Sequence, residues 1–457
     1  MKRLLNAVHG FFFAHIPSTG IGMMRAAWGL VAGCAMLAQW SDVERFYSNA
    51  GYLPSSLIPI VLRQSARFSI LDGIGDPGDV FTIYCLFLVA LLCTAIGLFP
   101  RIATTASVLL LFSFHERNLF VLGGGDTVLR FIGFVLLLSP DLRAFSVANA
   151  FDRWRRWRAT GTDLPERTMP IWPYRLLLWQ FIVLYGTSLW FKLLGTMWIR
   201  GTAVAAAMHH PFFSRLPKGF VDSAAPLLTV VDVAVMFLHF GWFLMLVPRA
   251  LTDLLPNRLP RLPLKRTLLL GGLLFHGSIL LMMDAGTFSF ALFAGYLGLL
   301  LREDIDVIRA FWNGPFRRRY ALNAGGKPLP RIAVLYDGTC GLCRRSVFVL
   351  TVLDCLRRIA PVDFRDAAAR KRIAPDITER SLDRAMHIRF PKRSHGKDKT
   401  GRTLRGFDAF RALAWHLPPL WPLAPFLYLP GVPPVGRWVY AGIAEKRETC
   451  DHESCSI

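Results

Sequence analysis

Arg331-Ile332-Ala333-Val334-Leu335-Tyr336 runs into Asp337-Gly338-Thr339 and then into Cys340-Gly341-Leu342-Cys343. The first six residues are rich in branched and aromatic side chains and predict a short strand. Asp-Gly-Thr predicts a tight turn. From Cys340 an apolar pattern through Val347, Leu350, Val352 and Leu353 predicts a helix reaching about Arg358. A strand therefore enters, through a turn, a helix that begins at Cys-x-x-Cys. Disulfide exchange needs a thiolate nucleophile, and a helix N-terminus favours negative charge. Cys340 is the expected nucleophile at the cap. Cys343, one turn on, is the expected resolving thiol. Arg344 and Arg345 add positive potential, and Asp337 opposes them unless it moves protons for Cys343.

Two other readings of the pair stay open on spacing alone. Cys-x-x-Cys is also half of a zinc site. Its other half would be Cys450-Asp-His-Glu-Ser-Cys455, whose spacing is poor for a knuckle. The pair is otherwise an unreactive coincidence. The strand-turn-helix setting favours redox chemistry, so no metal is expected.

Tyr336 to Cys343 resembles the opening motif of the DCC-type thiol-disulfide oxidoreductases, named for their Asp, Cys and Cys. The resemblance continues through Val362-Asp363-Phe364, a second strand, and through Gly401 and Gly406-Phe407-Asp408-Ala409, the turn and helix start after a hairpin. It ends at Leu429-Pro430-Gly431 and Trp438 to Arg447. It implies a thioredoxin-like α/β fold over residues 330–448, with Cys340 and Cys343 as the redox pair and Asp337 beside them. It also implies a thiol or disulfide protein as partner or electron donor. A basic insertion, Pro391 to Arg405, reads as a solvated loop, and the tail 449–457 as reduced and disordered.

The rest of the 457-residue chain is of another kind. Apolar stretches at Ile21–Trp40, Val80–Phe99, Arg175–Leu194, Leu227–Val247 and Thr267–Met283 match the length that crosses a hydrocarbon core of about 30 Å. Shorter runs at Ile102–Phe114, Thr127–Ser139 and Thr287–Leu301 bring the expected number of spans to about eight. Cys34, Cys85 and Cys93 lie inside such runs, where Cys acts as a small hydrophobe. The net charge of +22 does not point to nucleic acid, because it is concentrated in Arg143–Arg167, Arg249–Arg266 and the residues after Arg302. Eight spans starting inside place all three on one side, with acidic Ser41–Asp79 opposite, as the positive-inside rule requires. Membrane lipids are the expected partner. No cleaved signal peptide is read from the N-terminus. The expected architecture is a mostly α-helical polytopic membrane domain (15–305), a basic linker (306–329) and the α/β domain facing the cytoplasm, in a multi-pass protein of a bacterial inner membrane.

Polar residues gather near the outer ends of these spans: Lys192 late in an apolar helix, His115 and Asn118, Asp126 after a triple glycine, and the pair His209-His210. A lysine at that depth snorkels, pairs or serves a function. Arg25 through Pro54, Arg117-Asn118, Gly124-Gly125-Asp126 and Tyr185 through Ala203 resemble the HTTM domain, shared with vitamin K-dependent gamma-carboxylases. That resemblance implies Lys192 as a base acting on a hydroquinone, with a quinone or lipid in an outward-facing cavity. Carboxylation itself is not carried over. The leading expectation is a membrane-anchored dithiol oxidoreductase. The alternatives are a carboxylase- or epoxidase-like enzyme using Lys192, and a non-catalytic scaffold for lipid binding or peptide maturation.

Overall fold

Long runs of Leu, Val and Phe with few charges satisfy their backbone hydrogen bonds internally only as helices. The computed structural model is accordingly mostly helical. It describes residues 2–61, 67, 69–160, 164–246, 264–312, 331–354, 358–391, 402–421 and 423–445. The chain divides into two units: residues 1–149 with 165–304, and residues 150–164 with 305–457. Short helical turns are left unnumbered below.

In the first unit α1 spans Lys2–Phe13, α2 Thr19–Leu37, α3 Pro77–Ile96, α4 Pro100–Arg117 and α5 Gly124–Leu138. After α6 (Val147–Thr160), most of which belongs to the second unit, come α7 (Trp172–Leu194), α8 (Ala203–His209), α9 (Lys218–Phe243), α10 (Leu264–Met282) and α11 (Phe288–Gly298). Five of them, α2, α3, α7, α9 with its extension to Leu246, and α10, are long and apolar enough to cross a membrane. Leu86, Val89, Leu92, Phe237, Leu274 and Leu281 point out of the bundle, as in helices surrounded by lipid. The three shorter apolar runs form helices of 18, 15 and 11 residues. At 1.5 Å per residue the last is only about 16 Å long. Length and hydropathy alone therefore carry five spans, not eight.

Contacts sort the helix ends into two groups. At one end, strand β1 (His15–Pro17) pairs antiparallel with β2 (Thr168–Pro170). Ser18 Oγ donates to Asp141 at 2.7 Å, Arg167 pairs with Asp141 at 3.0 Å, Arg101 Nη1 donates to the Leu137 carbonyl at 2.8 Å, and Arg302 pairs with Glu166 at 3.0 Å. At the other end, Ser214 bridges Met283, and the Asp284 amide donates to the Phe213 carbonyl at 2.6 Å. Gly125 there lies against Thr287. The start of α2 is packed so closely that a Cβ on Gly20 or Gly22 would strike the carbonyl oxygens of Leu300 and Ala144. Arg25, fully buried, donates to the carbonyl of Thr94 in the last turn of α3 and to that of Phe145.

The second unit holds a four-stranded sheet in the order β4-β3-β5-β6, from β3 (Ile332–Tyr336), β4 (Ile359–Asp363), β5 (His387–Arg389) and β6 (Thr403–Arg405). β3 and β4 are parallel and joined by helix α13 (Gly341–Leu353), whereas β3–β5 and β5–β6 are antiparallel. Alternation along β3 serves both faces. Ile332 and Val334 join Val347, Leu350, Ile388, Ala409 and Leu413 on one side, and Ala333 and Leu335 join Val362, Phe364 and Leu382 on the other. Helix α16 (Gly406–Ala414) supplies the first face, and α14 (Ala367–Ile373) with α15 (Glu379–Arg384) the second. Trp157 packs on the first core, and Arg153 Nη2 donates to the Thr351 carbonyl at 3.2 Å.

Helix α13 stops at Leu353 rather than near Arg358. Asp354 follows it as cap, and the carboxylate accepts the amide of Ile359 at 2.7 Å, fixing the entry into β4. The stretch read as a linker begins as helix α12 (Arg302–Trp312), which we number before α13. Its Arg317–Arg319 and Gly325-Gly326 lie outside the described residues, as do most of the basic insertion and the tail. Helix α17 (Val432–Glu445) closes the unit.

Gly22→Val would drive a side chain into the Ala144 backbone, an overpacking cost of about 1–3 kcal/mol. The expected outcome is a clear drop in the thermal midpoint of the purified protein in detergent. Gly10→Val, where a Cβ meets nothing within 4 Å, is expected to leave it unchanged.

Candidate functional site

The thiol site is built at the carboxyl end of β3. The Phe364 amide donates to the Tyr336 carbonyl at 3.1 Å, so β3 and β4 end side by side. Two carboxylates then clamp the turn. Asp363 Oδ1 accepts the amides of Gly338 and Arg365, each at 3.0 Å. Asp337 Oδ1 accepts the Thr339 amide at 2.9 Å and the Thr339 hydroxyl at 2.6 Å. Gly338 is required for contact reasons, since a Cβ there would collide with the Asp363 carboxylate.

The clamp delivers Cys340 to the N-cap of α13 in an extended conformation, φ −78° and ψ 117°. Its carbonyl accepts the Arg344 amide at 3.0 Å, the first turn of the helix. Its Sγ accepts the Cys343 amide at 3.3 Å. That bond strengthens when the sulfur carries charge. Cys340 is partly exposed and Cys343 is 2% exposed. An incoming disulfide therefore meets Cys340 first, with Cys343 in the next turn beneath it.

Asp337 has a second partner besides Thr339. Arg365 grips it with two bonds, Nη2 at 2.7 Å and Nε at 3.2 Å. Partial burial pulls the Asp337 carboxyl up. The hydrogen bonds from Arg365 and Thr339 and the Arg365 charge outweigh it and hold the group down at about 2. It is ionised wherever thiol exchange runs, and its geometry suits holding the turn. Arg365 also pairs with Asp383 at 2.8 Å and Glu379 at 3.6 Å, both on α15. Arg365 was not picked out from sequence. Its position two residues after Asp363, at the end of the neighbouring parallel strand, was the available signal.

The residues proposed for the helical unit do not form one site. His115 and Asp126 approach to 3.7 Å. Asn118 instead ties a turn, donating to the Phe46 carbonyl at 2.9 Å and accepting the Phe120 amide at 3.1 Å. Lys192 donates to Ser188 Oγ at 2.6 Å, one helical turn back, with its ammonium 4.7 Å from the Trp198 ring centre. His209 bonds Asp222 at 2.8 Å on the surface, and His210 lies against Phe212 and Phe213. A cluster that sequence reading missed lies deeper: Tyr185, His239, Trp242, His276 and Tyr296 are all buried. Tyr185 Oη bonds His276 Nε2 at 2.8 Å and also meets Tyr296 Oη. They come from four different helices, so only their shared position inside apolar runs could have signalled them.

Cys450 and Cys455 lie outside the described residues. Among the described residues no three His, Cys, Asp or Glu side chains converge as a metal site would require.

A thiol at a helix cap and a buried second thiol one turn on, both carried by a small mixed sheet domain, make a dithiol site. Residues 334–452 match the family described as DCC1-like thiol-disulfide oxidoreductase, and the chain carries that domain. The match does not extend into residues 15–305, where the HTTM likeness rests on motifs alone. No curated protein and no solved structure matches the chain.

The carboxylate pairing fixes an acid response. The Asp337 carboxyl lies below its unfolded value of about 3.9, so its contribution to stability is complete above that pH and is lost as pH falls toward 2. Followed by circular dichroism, Asp337→Asn is expected to be less stable than the native chain at pH 6. The difference is expected to close between about pH 4 and pH 2.

Proposed function

We propose that this chain is a membrane-anchored thiol-disulfide oxidoreductase with Cys340 as nucleophile and Cys343 as resolving thiol. The observation that carries it is the pair's placement, an accessible sulfur capping α13 and a buried one a single turn away. In the cycle, the Cys340 thiolate attacks one sulfur of a partner disulfide. A bond forms between the two sulfurs, the partner's own S–S bond breaks, and its second sulfur leaves as thiolate and takes a proton. Cys343 then loses its proton and attacks Cys340, releasing the partner as a dithiol and leaving Cys340–Cys343 oxidised. A thiol or dithiol electron donor reverses these steps on the protein. Asp337, with Arg365, serves as a positioning residue.

Eight crossings remain our reading of the helical unit. What supports it is parity. β1 pairs with β2 across α2, α3, α4 and α5, which requires an even number of crossings. Ser214 meets Met283 across α9 and α10, again even. Glu166 meets Arg302 across α7, α9, α10 and α11, so the short α11 segment must return the chain to the side it left. The face so defined carries Arg101, Arg143, Arg167, Lys265, Arg266 and Arg302, and the opposite one Asp76, Asp79, Asp126 and Asp284. By the positive-inside rule the first is cytoplasmic, and the chain continues from it into the thiol domain. In that reducing compartment the domain works as a reductase of a partner disulfide.

The full-length protein in detergent tests the assignment of roles. Cys343→Ser is expected to trap a mixed disulfide with a dithiothreitol-sensitive partner peptide, seen as an added mass on Cys340. Cys340→Ser is expected to lose both adduct and turnover. An adduct that forms equally well in the Cys340→Ser variant reverses the assignment.

A further inference from the structure

Besides the dithiol, the second unit holds an open cavity of about 550 Å³ formed where α15, the end of β6, the start of α16 and α17 meet. Its walls bring together Arg380 and Arg384 from α15, Arg405 from β6 and Arg437 from α17, with the hydroxyls of Ser381 and Tyr440. The single carboxylate in the wall, Asp408, is already shared between Arg437 at 3.0 Å and Arg411 at 3.1 Å. Arg380, Arg384 and Arg405 have no carboxylate partner among the described residues. Tyr440 Oη accepts the Met386 amide at 2.9 Å, which leaves its proton to donate. Guanidinium groups from three separate elements line this one hollow, a charge arrangement complementary to carboxylates.

The position of the cavity relates it to the thiols. Leu335, His387 and Arg405 stand in register across β3, β5 and β6. Strands lie about 4.8 Å apart, so the Arg405 backbone is roughly 10 Å from that of Leu335, near the end of the strand that leads to Cys340. Helix α15 joins the two places. Its Glu379 and Asp383 hold Arg365, which holds the Asp337 turn, while its Arg380 and Arg384 line the cavity.

We propose that this cavity binds an acidic segment of the disulfide substrate, so that the oxidoreductase selects peptides carrying Glu or Asp a few residues from the reactive cysteine. The inference rests on the dithiol reading above. An extended peptide advances about 3.4 Å per residue, so three or four residues span on the order of 10 Å, the scale that separates the arginine-lined wall from the end of β3.

The test uses the full-length protein in detergent and two synthetic peptide disulfides, identical except for Glu or Gln at the third and fourth positions from the cysteine. The native chain is expected to reduce the Glu peptide on the order of tenfold faster than the Gln peptide at low salt, with the preference falling as salt rises. Arg384→Gln with Arg405→Gln is expected to remove the preference, and the corresponding Lys pair to keep part of it. Equal rates for the two peptides in the native chain, or a preference that survives the Gln pair, overturn the proposal. Inorganic pyrophosphate, titrated by calorimetry, separates this from failure of the dithiol reading. If neither peptide reacts through Cys340, the redox assignment falls. Saturable pyrophosphate binding that is lost in the Gln pair still upholds the anion site, and absence of binding removes it.

Discussion

The carboxylates of Asp337 and Asp363 close three residues, Asp337 to Thr339, into a turn with one geometry, and the chemistry of the second unit depends on that closure. Asp363 comes from the neighbouring parallel strand, and Gly338 leaves it room. Asp337 reaches forward to Thr339 and sideways to Arg365. Held on both sides, the chain leaves β3 and starts α13 at Cys340 with its sulfur over the first turn. Opening the turn would uncouple that sulfur from the Cys343 amide and from the positive end of the helix dipole.

The two units solve different solvent problems. The helical unit places Trp28, Phe87, Phe114, Phe181 and Trp242 in its interior and turns Leu and Phe outward as well. That pattern is stable only where the surroundings are also apolar. Several of its buried side-chain donors are answered by carbonyls, as for Arg25, Arg117 and Trp28. The second unit instead alternates along its strands and buries both faces of a small sheet.

Much of this was readable before any coordinates. Strand, turn and Cys-x-x-Cys helix followed from period-two alternation, Asp-Gly-Thr and the Val347 and Leu350 spacing, all local signals. The five long apolar helices followed from length and hydropathy. What was hidden was pairing across distance. Nothing local to Arg365 says that it grips Asp337 rather than water, so the sequence left open whether that carboxylate opposes the thiolate or moves protons for Cys343, and its tie to Arg365 went unseen. Nothing local to His239 or His276 says that they converge on Tyr185, and nothing near Lys192 says that its neighbours are Ser188 and Trp198 rather than His115 or His209. The short helix over Phe288–Gly298 shows the same limit, because hydropathy over 11 residues does not report whether it crosses.

The most direct measurement of the central claim is the redox equilibrium of the two sulfurs. The full-length protein in detergent is equilibrated with graded ratios of reduced and oxidised dithiothreitol, quenched by alkylation and read by peptide mass spectrometry. The account predicts that Cys340 and Cys343 lose their alkyl groups together, in one two-electron transition, and appear as a single internally bridged peptide, while Cys34, Cys85 and Cys93 stay alkylated. Full alkylation of Cys340 under the most oxidising mixture, or its loss without Cys343, would contradict it.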